Sequence, residues 1–130
     1  MISLDTNVLV RFLVQDDADQ ARRAAACIAR LTESEPGFVA REVVLELVWV
    51  LAKAYQYERP QITSALQGLM AAVEIEVEDS AVLGAVLDLY ANQGYDFADL
   101  MIRQVGVQRG VSSMVTFDAQ AAQQIGRAHV

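Results

Sequence analysis

The sequence predicts an α/β domain built on a parallel sheet. Short apolar runs compatible with strands alternate with longer segments in which apolar residues recur every three or four positions, as in amphipathic helices. Capping and turn residues separate these segments. Such alternation implies parallel strands joined by helical crossovers. With 130 residues, of which 54% are hydrophobic, the chain is long enough for one domain with a substantial core.

Capping signals and periodicity place each element in order. Predicted strands cover residues 2–4, 38–40, 74–78 and 113–116. Predicted helices cover residues 8–13, 18–31, 41–57, 60–72, 81–92, 97–109 and 119–125. Asp17 and Asp96 precede helical patterns as capping residues, Pro60 suits the first position of a helix, and Gly94 and Gly110 follow helix ends. The run 74–78 alternates apolar and acidic residues, as expected of an exposed or edge strand.

The third predicted helix carries the acid that is hardest to explain structurally. This helix is apolar nearly all round, so we expect it to be central or at a subunit interface, and Glu46 lies in its middle. A buried carboxylate is costly unless it is paired or binds a metal, so we assign Glu46 to a site. Glu42, one turn earlier, has an alternative role as a first-turn acid favoured by the helix dipole. Whether Glu42 or Glu46 faces the site stays open.

Acidic residues recur where predicted strands give way to helices. Asp5 follows the first strand, Asp96 and Asp99 open the sixth helix, and Asp118 follows the last strand. Ligands bind at the carboxyl ends of the strands in open α/β sheets, so carboxylates that converge there suggest a site for a hard cation. Simpler explanations exist for three of these acids: Asp5 and Asp96 as helix caps, and Asp99 as the ion-pair partner of Arg103.

The predicted constellation is Asp5, Glu46, Asp99 and Asp118. Carboxylates gathered within a few ångströms repel one another, and a divalent cation relieves that repulsion. Mg²⁺ or Mn²⁺ bound by oxygen ligands activates water and neutralises charge on a phosphodiester, so no protein nucleophile is needed. The sequence contains no glycine-rich phosphate loop, dinucleotide fingerprint or serine-nucleophile elbow that would point to other chemistry.

Composition and charge exclude several classes of function. Cys27 is the only cysteine, which excludes an intrachain disulfide and a thiolate zinc cluster, and the only histidine, His129, stands next to the C-terminus. The net charge of −7 is atypical of a nucleic-acid binder, but bound cations can attract phosphate locally. Arg11 and Arg103 are weak candidates for substrate contacts, with solvated helix faces as the alternative.

The chain shows no signal for export or for a membrane. No uninterrupted apolar run approaches the roughly 20 residues of a spanning helix, and the start lacks the basic region of a secretory signal. We therefore expect a cytoplasmic protein with no membrane contact. The mean hydropathy of +0.25 is high for a small soluble chain, so we expect part of its apolar surface to be covered by another protein.

Four segments follow one another along the chain in a recognisable order. They are Asp5-Thr6-Asn7-Val8-Leu9, Val44-Leu45-Glu46-Leu47-Val48-Trp49-Val50-Leu51, Asp96-Phe97-Ala98-Asp99 and Val115-Thr116-Phe117-Asp118. The ordered set resembles the motifs of PIN-domain ribonucleases, specifically the VapC-type toxins of bacterial toxin–antitoxin pairs. The resemblance covers essentially the whole chain and implies a single PIN domain over residues 1–130, with a three-layer α/β/α fold around a small central parallel sheet.

The same resemblance implies roles for individual residues. Asp5 and Asp99 would be the principal Mg²⁺ ligands, with Mn²⁺ as a substitute ion, and Glu46 and Asp118 would complete the group of catalytic acids. Supporting positions would be Asp96, Thr6, Asn7 and Thr116. The resemblance further implies metal-dependent endonucleolytic cleavage of RNA, homodimerisation and inhibition by a cognate antitoxin protein. It does not select among transfer, ribosomal and messenger RNA, or between one and two metal ions.

Two hypotheses from other classes stay open. The first is a catalytically silent PIN-like module that binds proteins, although retention of all four acids weighs against it. The second is a phosphatase or phosphoacceptor domain with Asp5 as a covalent nucleophile. That chemistry expects an acid two residues later, where the chain has Asn7, and a lysine near the last strand, whereas the only lysine is Lys53.

Overall fold

A three-stranded parallel sheet organises the first part of the chain. The computed structural model describes residues 1–119 and 128–129, and the chain divides into two compact units, Met1–Asp79 and Ser80–Val130. The strands of the first unit are β1 (Ile2–Ser3), β2 (Gly37–Val39) and β3 (Ile75–Val77). They pair in the order β1-β2-β3, all in parallel, with Ile2 opposite Gly37 and Phe38 opposite Glu76. The edge strand predicted at 74–78 is therefore confirmed.

Helices connect the strands of this unit and supply its core. They are α1 (Thr6–Val14), α2 (Ala18–Ala29), α3 (Arg41–Lys53) and α4 (Arg59–Ala71). Helix α1 packs against α2 and α3, α3 packs against α4, and α4 packs against β3. The core of this unit includes Leu9, Val39, Leu47 and Leu51, which are completely buried. Leu47 and Leu51 share one face of α3 because residues four positions apart lie on the same side of a helix.

The central strand has a close approach to its neighbours at Gly37. A Cβ atom built at this position would lie 2.8 Å from Leu31 Cδ1 and 2.8 Å from Leu4 Cδ1. Carbon atoms in contact are normally about 3.5–4.0 Å apart. The absence of a side chain at Gly37 therefore lets two leucines close over the middle of the sheet.

The second unit contains two helices and two short strands in its described part. They are α5 (Ser80–Gln93), α6 (Phe97–Gln108), β4 (Val115–Thr116) and β5 (Ala128–His129). Helix α5 packs against α6, and the rings of Tyr90 and Phe97 meet edge to face with centroids 5.3 Å apart, a favourable geometry for aromatic pairs. Strand β5 runs parallel to β4. Strand β5 was not predicted from the sequence.

The predicted α/β class, with a small parallel sheet and flanking helices as in PIN-domain proteins, is confirmed. Several helix boundaries differ from prediction, and two of the differences have a clear local cause. Helix α1 begins at Thr6 rather than Val8, because Asp5 already caps it. Helix α3 ends at Lys53 rather than near Tyr57, because the following turn places Gln56 at a positive φ of 56°. Most of the helix predicted over 119–125 lies outside the described residues. None of the described helices has the length and apolar character needed to cross a membrane.

Candidate active site

Asp5 lies where β1 gives way to α1. Its backbone is extended (φ −79°, ψ 157°), and its Oδ1 atom accepts a hydrogen bond of 2.9 Å from the backbone N–H of Thr6. The predicted capping role is therefore confirmed, at the junction between Asp5 and Thr6. The residue is exposed, and this hydrogen bond is the one its carboxylate makes within the described part of the chain. The capped carboxylate thus presents its second oxygen to solvent or to a ligand.

Thr6 and Asn7, the next two residues of the motif, have opposite environments. Thr6 is 3% exposed, and its Oγ1 atom has no hydrogen-bond partner among the described residues. Asn7 is exposed on the first turn of α1. A buried polar atom without a partner is rare in folded proteins and calls for a physical explanation. The residue that carries this unpaired hydroxyl directly follows the predicted metal ligand Asp5 in the chain.

The expectation that Glu46 is buried is wrong. The buried face of α3 is formed by Val44, Leu47, Val48 and Leu51. Glu46 and Glu42 are both exposed, and Trp49, which shares their side of the helix, is 63% exposed. Burial was predicted because apolar residues flank Glu46 on both sides in the sequence. The 3.6-residue period of the helix nevertheless turns its side chain away from the core. Exposure leaves the carboxylate available for a ligand, and its assignment to the site stays a prediction.

Glu42 has the first-turn position predicted for it. It stands in the first turn of α3, and the closest approach to its neighbour Arg41 joins Arg41 Nε to Glu42 Oε1 at 4.0 Å. Arg41 is held more firmly by Asp79, with Nη1 and Oδ2 3.0 Å apart. Glu42 and Glu46 are four residues apart on the same exposed face of α3, so either one is placed to be the acid that this helix contributes to the predicted site.

In the second unit, Asp96 and Asp99 form one local structure. Asp96 is the N-cap of α6, and its Oδ2 atom accepts a hydrogen bond of 3.0 Å from the backbone N–H of Asp99. The capping role predicted for Asp96 is confirmed. Asp96 is exposed, whereas Asp99 is half-buried in the first turn of the helix. This contact fixes the backbone of Asp99, which is the role expected of a supporting residue.

Thr116 and Asp118 form a similar pair at the end of β4. The backbone N–H of Asp118 donates a hydrogen bond of 3.0 Å to Thr116 Oγ1. Thr116 is half-buried and Asp118 is exposed. A hydroxyl that accepts from the backbone two residues later produces a compact turn. The turn places Asp118 immediately after the strand, as the sequence predicts.

Arg11 belongs to a closed ring of hydrogen bonds within the first unit. Its Nη1 atom donates to Asp16 Oδ1 at 3.0 Å and to Tyr55 Oη at 3.2 Å, and Tyr55 Oη donates to Asp16 Oδ2 at 3.0 Å. Desolvation opposes ionisation of both charged groups. The contacts outweigh it, so the pKa of Arg11 is raised and the pKa of Asp16 is lowered from their ordinary values.

The ring ties α1 to the segment after α3, which gives Arg11 a structural role alongside its predicted substrate contact. No sequence signal could have found this ring, because Asp16 and Tyr55 are 39 residues apart. Arg11 also lines an open groove of about 230 Å³ between α1 and α2, together with Asn7, Val8, Ala24 and Cys27. Arg103, the second weak candidate for substrate binding, is half-buried on α6.

The donor atoms of the predicted site suit a hard divalent cation. Every predicted acid offers carboxylate oxygens, the ligands that Mg²⁺ prefers, and Mg²⁺ commonly uses only one or two carboxylates together with water. Within the described part of either unit, no group of three or more histidine, cysteine, aspartate or glutamate residues is arranged to hold an ion. The Asp5 carboxylate makes a single hydrogen bond within the described residues, which leaves an oxygen for a hydrated cation.

Comparison with known proteins adds evidence independent of this geometry. The family model described as "PIN domain" matches residues 2–126. The chain belongs to the PIN domain family. A curated relative described as "VapC ribonuclease", from Aquifex aeolicus (strain VF5), is 26% identical over 115 residues, covering 88% of this chain and 84% of the relative. The PIN domain match extends from before Asp5 to beyond Asp118, so all four predicted acids lie inside it.

Proposed function

We propose that this PIN-domain protein is a Mg²⁺-dependent endoribonuclease and the toxin of a toxin–antitoxin pair. The observation that carries the proposal is the family match over residues 2–126, which includes every predicted catalytic acid. The similarity to a VapC ribonuclease over most of both chains supports the same activity. Because the match runs through both structural units, we propose that they act together as one PIN domain.

Four acids carry the proposed chemistry. Asp5 and Asp99 hold Mg²⁺, for which Mn²⁺ can substitute, and Glu46 and Asp118 complete the catalytic set. A bound Mg²⁺ supplies charge neutralisation for the phosphodiester and makes water more acidic. The protein positions the acids through local hydrogen bonds. The backbone N–H of Thr6 orients the Asp5 carboxylate, and the Asp96 cap fixes the helical turn that contains Asp99. The hydrogen bond from Asp118 N–H to Thr116 orients Asp118.

The proposed partners are RNA, a cognate antitoxin and a second copy of the chain, in the cytoplasm. Exposed apolar side chains support protein contacts. Trp49 is 63% exposed on α3 and Val73 is 70% exposed after α4, and tryptophan is enriched at protein interfaces. Because Trp49 is exposed among the described residues, α3 is not buried on all sides there, and this apolar side chain supports the proposed protein contact.

The proposal is tested by RNA cleavage with a matched pair of cap variants. Asp5 and Asp17 are both exposed N-cap aspartates, of α1 and α2, and asparagine caps helices about as well as aspartate. Asp5→Asn and Asp17→Asn should therefore both fold. We expect the wild type and Asp17→Asn to cut RNA with Mg²⁺ and to stop with a chelator, and Asp5→Asn to be inactive under both conditions.

Each other outcome has a definite meaning. Wild-type protein that is inert with Mg²⁺ and with Mn²⁺ would contradict the nuclease proposal and favour a silent protein-binding module. Cleavage by Asp5→Asn at the wild-type rate would eliminate Asp5 as a ligand. Cleavage that continues in the presence of the chelator would show that the chain cuts RNA without a divalent cation.

A further inference from the structure

The position of the only tryptophan on α3 calls for an explanation. Trp49 is 63% exposed, and within the described residues no second aromatic ring packs against it. A single exposed apolar side chain is common on protein surfaces and needs no special reason. Trp49 differs because of its neighbours on the helix, two of which are the acids that α3 offers to the predicted site.

The exposed face of α3 has a regular order of side chains. Trp49 stands three residues after Glu46 and seven after Glu42, and Lys53 follows four residues later. These spacings place all four residues on one face of the helix, and each of them is exposed. Along this face two carboxylates are therefore followed by an indole and then by an ammonium group.

The spacing between Glu46 and Trp49 matches the scale of a nucleotide. Three residues of α-helix rise about 4.5 Å along the axis, and a stacked strand rises about 3.4 Å per nucleotide. A nucleotide next to a phosphate held at Glu46 would thus have its base beside the indole. Unpaired bases are commonly bound by stacking on exposed aromatic side chains.

The charges around Trp49 favour a nucleotide over a protein as its partner. Its neighbours one turn away on the exposed face are Glu46 and Lys53, the only lysine of the chain. Glutamate and lysine are depleted at protein interfaces, whereas single-stranded nucleic acids bind where aromatic side chains stand next to cations. A protein partner of the kind proposed above would cover Trp49 only while RNA is absent.

We propose that Trp49 is a substrate-binding residue whose indole stacks on an unpaired base of the RNA, next to the phosphate that is cut. The inference rests on the proposed function, because the acids beside Trp49 attract a phosphate only with a divalent cation bound. Every base has a π face, so this stacking selects a single-stranded segment and not a particular base. The substrate class is therefore RNA that is unpaired at the cleavage site.

Intrinsic fluorescence tests the contact directly, since Trp49 is the only tryptophan and gives the whole indole signal. The wild type is mixed rapidly in Mg²⁺ with a short single-stranded RNA of mixed sequence, and emission is recorded before cleavage. We expect this RNA to quench the emission. An abasic strand of the same length and charge should leave it unchanged, because that strand offers phosphates without a ring to stack.

Cleavage kinetics on the same RNA provide the second readout. Trp49→Ala should raise KM roughly 5- to 150-fold, the loss typical of one stacked base. Its kcat should stay near the wild-type value, because the base stacks equally well before and during the reaction. Trp49→Phe should recover most of the affinity. Val107→Ala, which truncates a side chain that is 49% exposed on α6, is the control and should keep the wild-type KM.

The outcomes separate this inference from the proposed function. If the wild type cuts the RNA but its emission does not change, or if Trp49→Ala keeps the wild-type KM, stacking is refuted while the nuclease stands. Loss of a dimer in Trp49→Ala with an unchanged KM assigns the indole to contact between copies, which also refutes it. A wild type that cuts no RNA refutes both proposals. Should Trp49→Ala not fold, Trp49→Leu compared with Trp49→Phe decides the question, since leucine has no π face.

Discussion

Replacing the two exposed glutamates of α3, and the buried Leu47 beside them, separates effects on catalysis from effects on stability. Glu46 is exposed, and Leu47 beside it is completely buried. Glu46→Gln keeps the shape of the side chain and removes its charge, so the free energy of unfolding should change by less than about 0.5 kcal/mol. Leu47→Ala creates a cavity and should cost about 2–5 kcal/mol. At this chain length that cost lowers the melting temperature by roughly 8–20 °C.

The same two variants should rank in the opposite order by their loss of activity. Loss of a carboxylate that takes part in catalysis typically reduces the rate by at least about 100-fold, so Glu46→Gln should be folded and nearly inactive. Leu47→Ala should retain activity at temperatures well below its lowered melting point. Glu42→Gln is the matched control, because Glu42 lies one turn earlier on the same exposed face. It should retain both stability and activity. Calorimetric melting and an initial-rate assay on one RNA substrate measure both quantities.

Three results would refute parts of this argument. Inactivity of Glu42→Gln together with full activity of Glu46→Gln would transfer the catalytic role to Glu42. Full activity of both variants would remove α3 from the catalytic set. A loss of more than about 1.5 kcal/mol in Glu46→Gln would contradict the exposed position of this side chain, since surface substitutions away from special features stay within about 0.5 kcal/mol.

Two further predictions concern the first unit. Desolvation acts to raise the pKa of Asp16, but the Tyr55 hydrogen bond and the Arg11 contacts outweigh it, so the pKa lies below its ordinary value of 3.8. The stability that ionised Asp16 adds to the folded protein is therefore complete above pH 3.8 and is lost as the pH falls through the pKa of the folded state. In urea unfolding, the stability difference between the wild type and Asp16→Asn should therefore narrow below about pH 4, and a difference that widens would be inconsistent. Gly37→Ala should cost about 1–3 kcal/mol, because its Cβ would meet Leu4 at 2.8 Å. Gly68→Ala, where nothing lies within 4 Å in α4, should instead gain about 1 kcal/mol in the same experiment.

The sequence predicted the fold well because local and tertiary signals agree along most of the chain. Asp17 and Asp96 cap the helices assigned to them, and their carboxylates accept from Gln20 and Asp99. Alternation at Ile75 and Val77 matches their burial in β3. Each of these signals spans only a few residues, and tertiary packing does not override them in the structure. Strand β5, formed by Ala128–His129, was not predicted because no apolar run like those of the predicted strands leads into it.

The errors arose where sequence neighbours and spatial neighbours differ. Glu46 was expected to be buried because Leu45 and Leu47 flank it, but burial in a helix depends on the residues three and four positions away. The ring of Arg11, Asp16 and Tyr55 depends on tertiary packing of α1 against α3, which no short pattern encodes. Sequence therefore predicted the helix caps at Asp17 and Asp96 correctly, and it failed to predict the environments of individual side chains.

Capping and catalysis are compatible roles for the same carboxylate, and this resolves the competition between them. As a cap, Asp5 uses Oδ1 for the N–H of Thr6, and Asp96 uses Oδ2 for the N–H of Asp99. Each cap bond occupies one oxygen and restrains the rotation of the carboxyl group, so the other oxygen is held in a defined place without further ordering cost. A metal site benefits from ligands fixed in this way. The helix cap is thus a means by which the chain can position a ligand, and the cap observed at Asp5 is compatible with the proposed site.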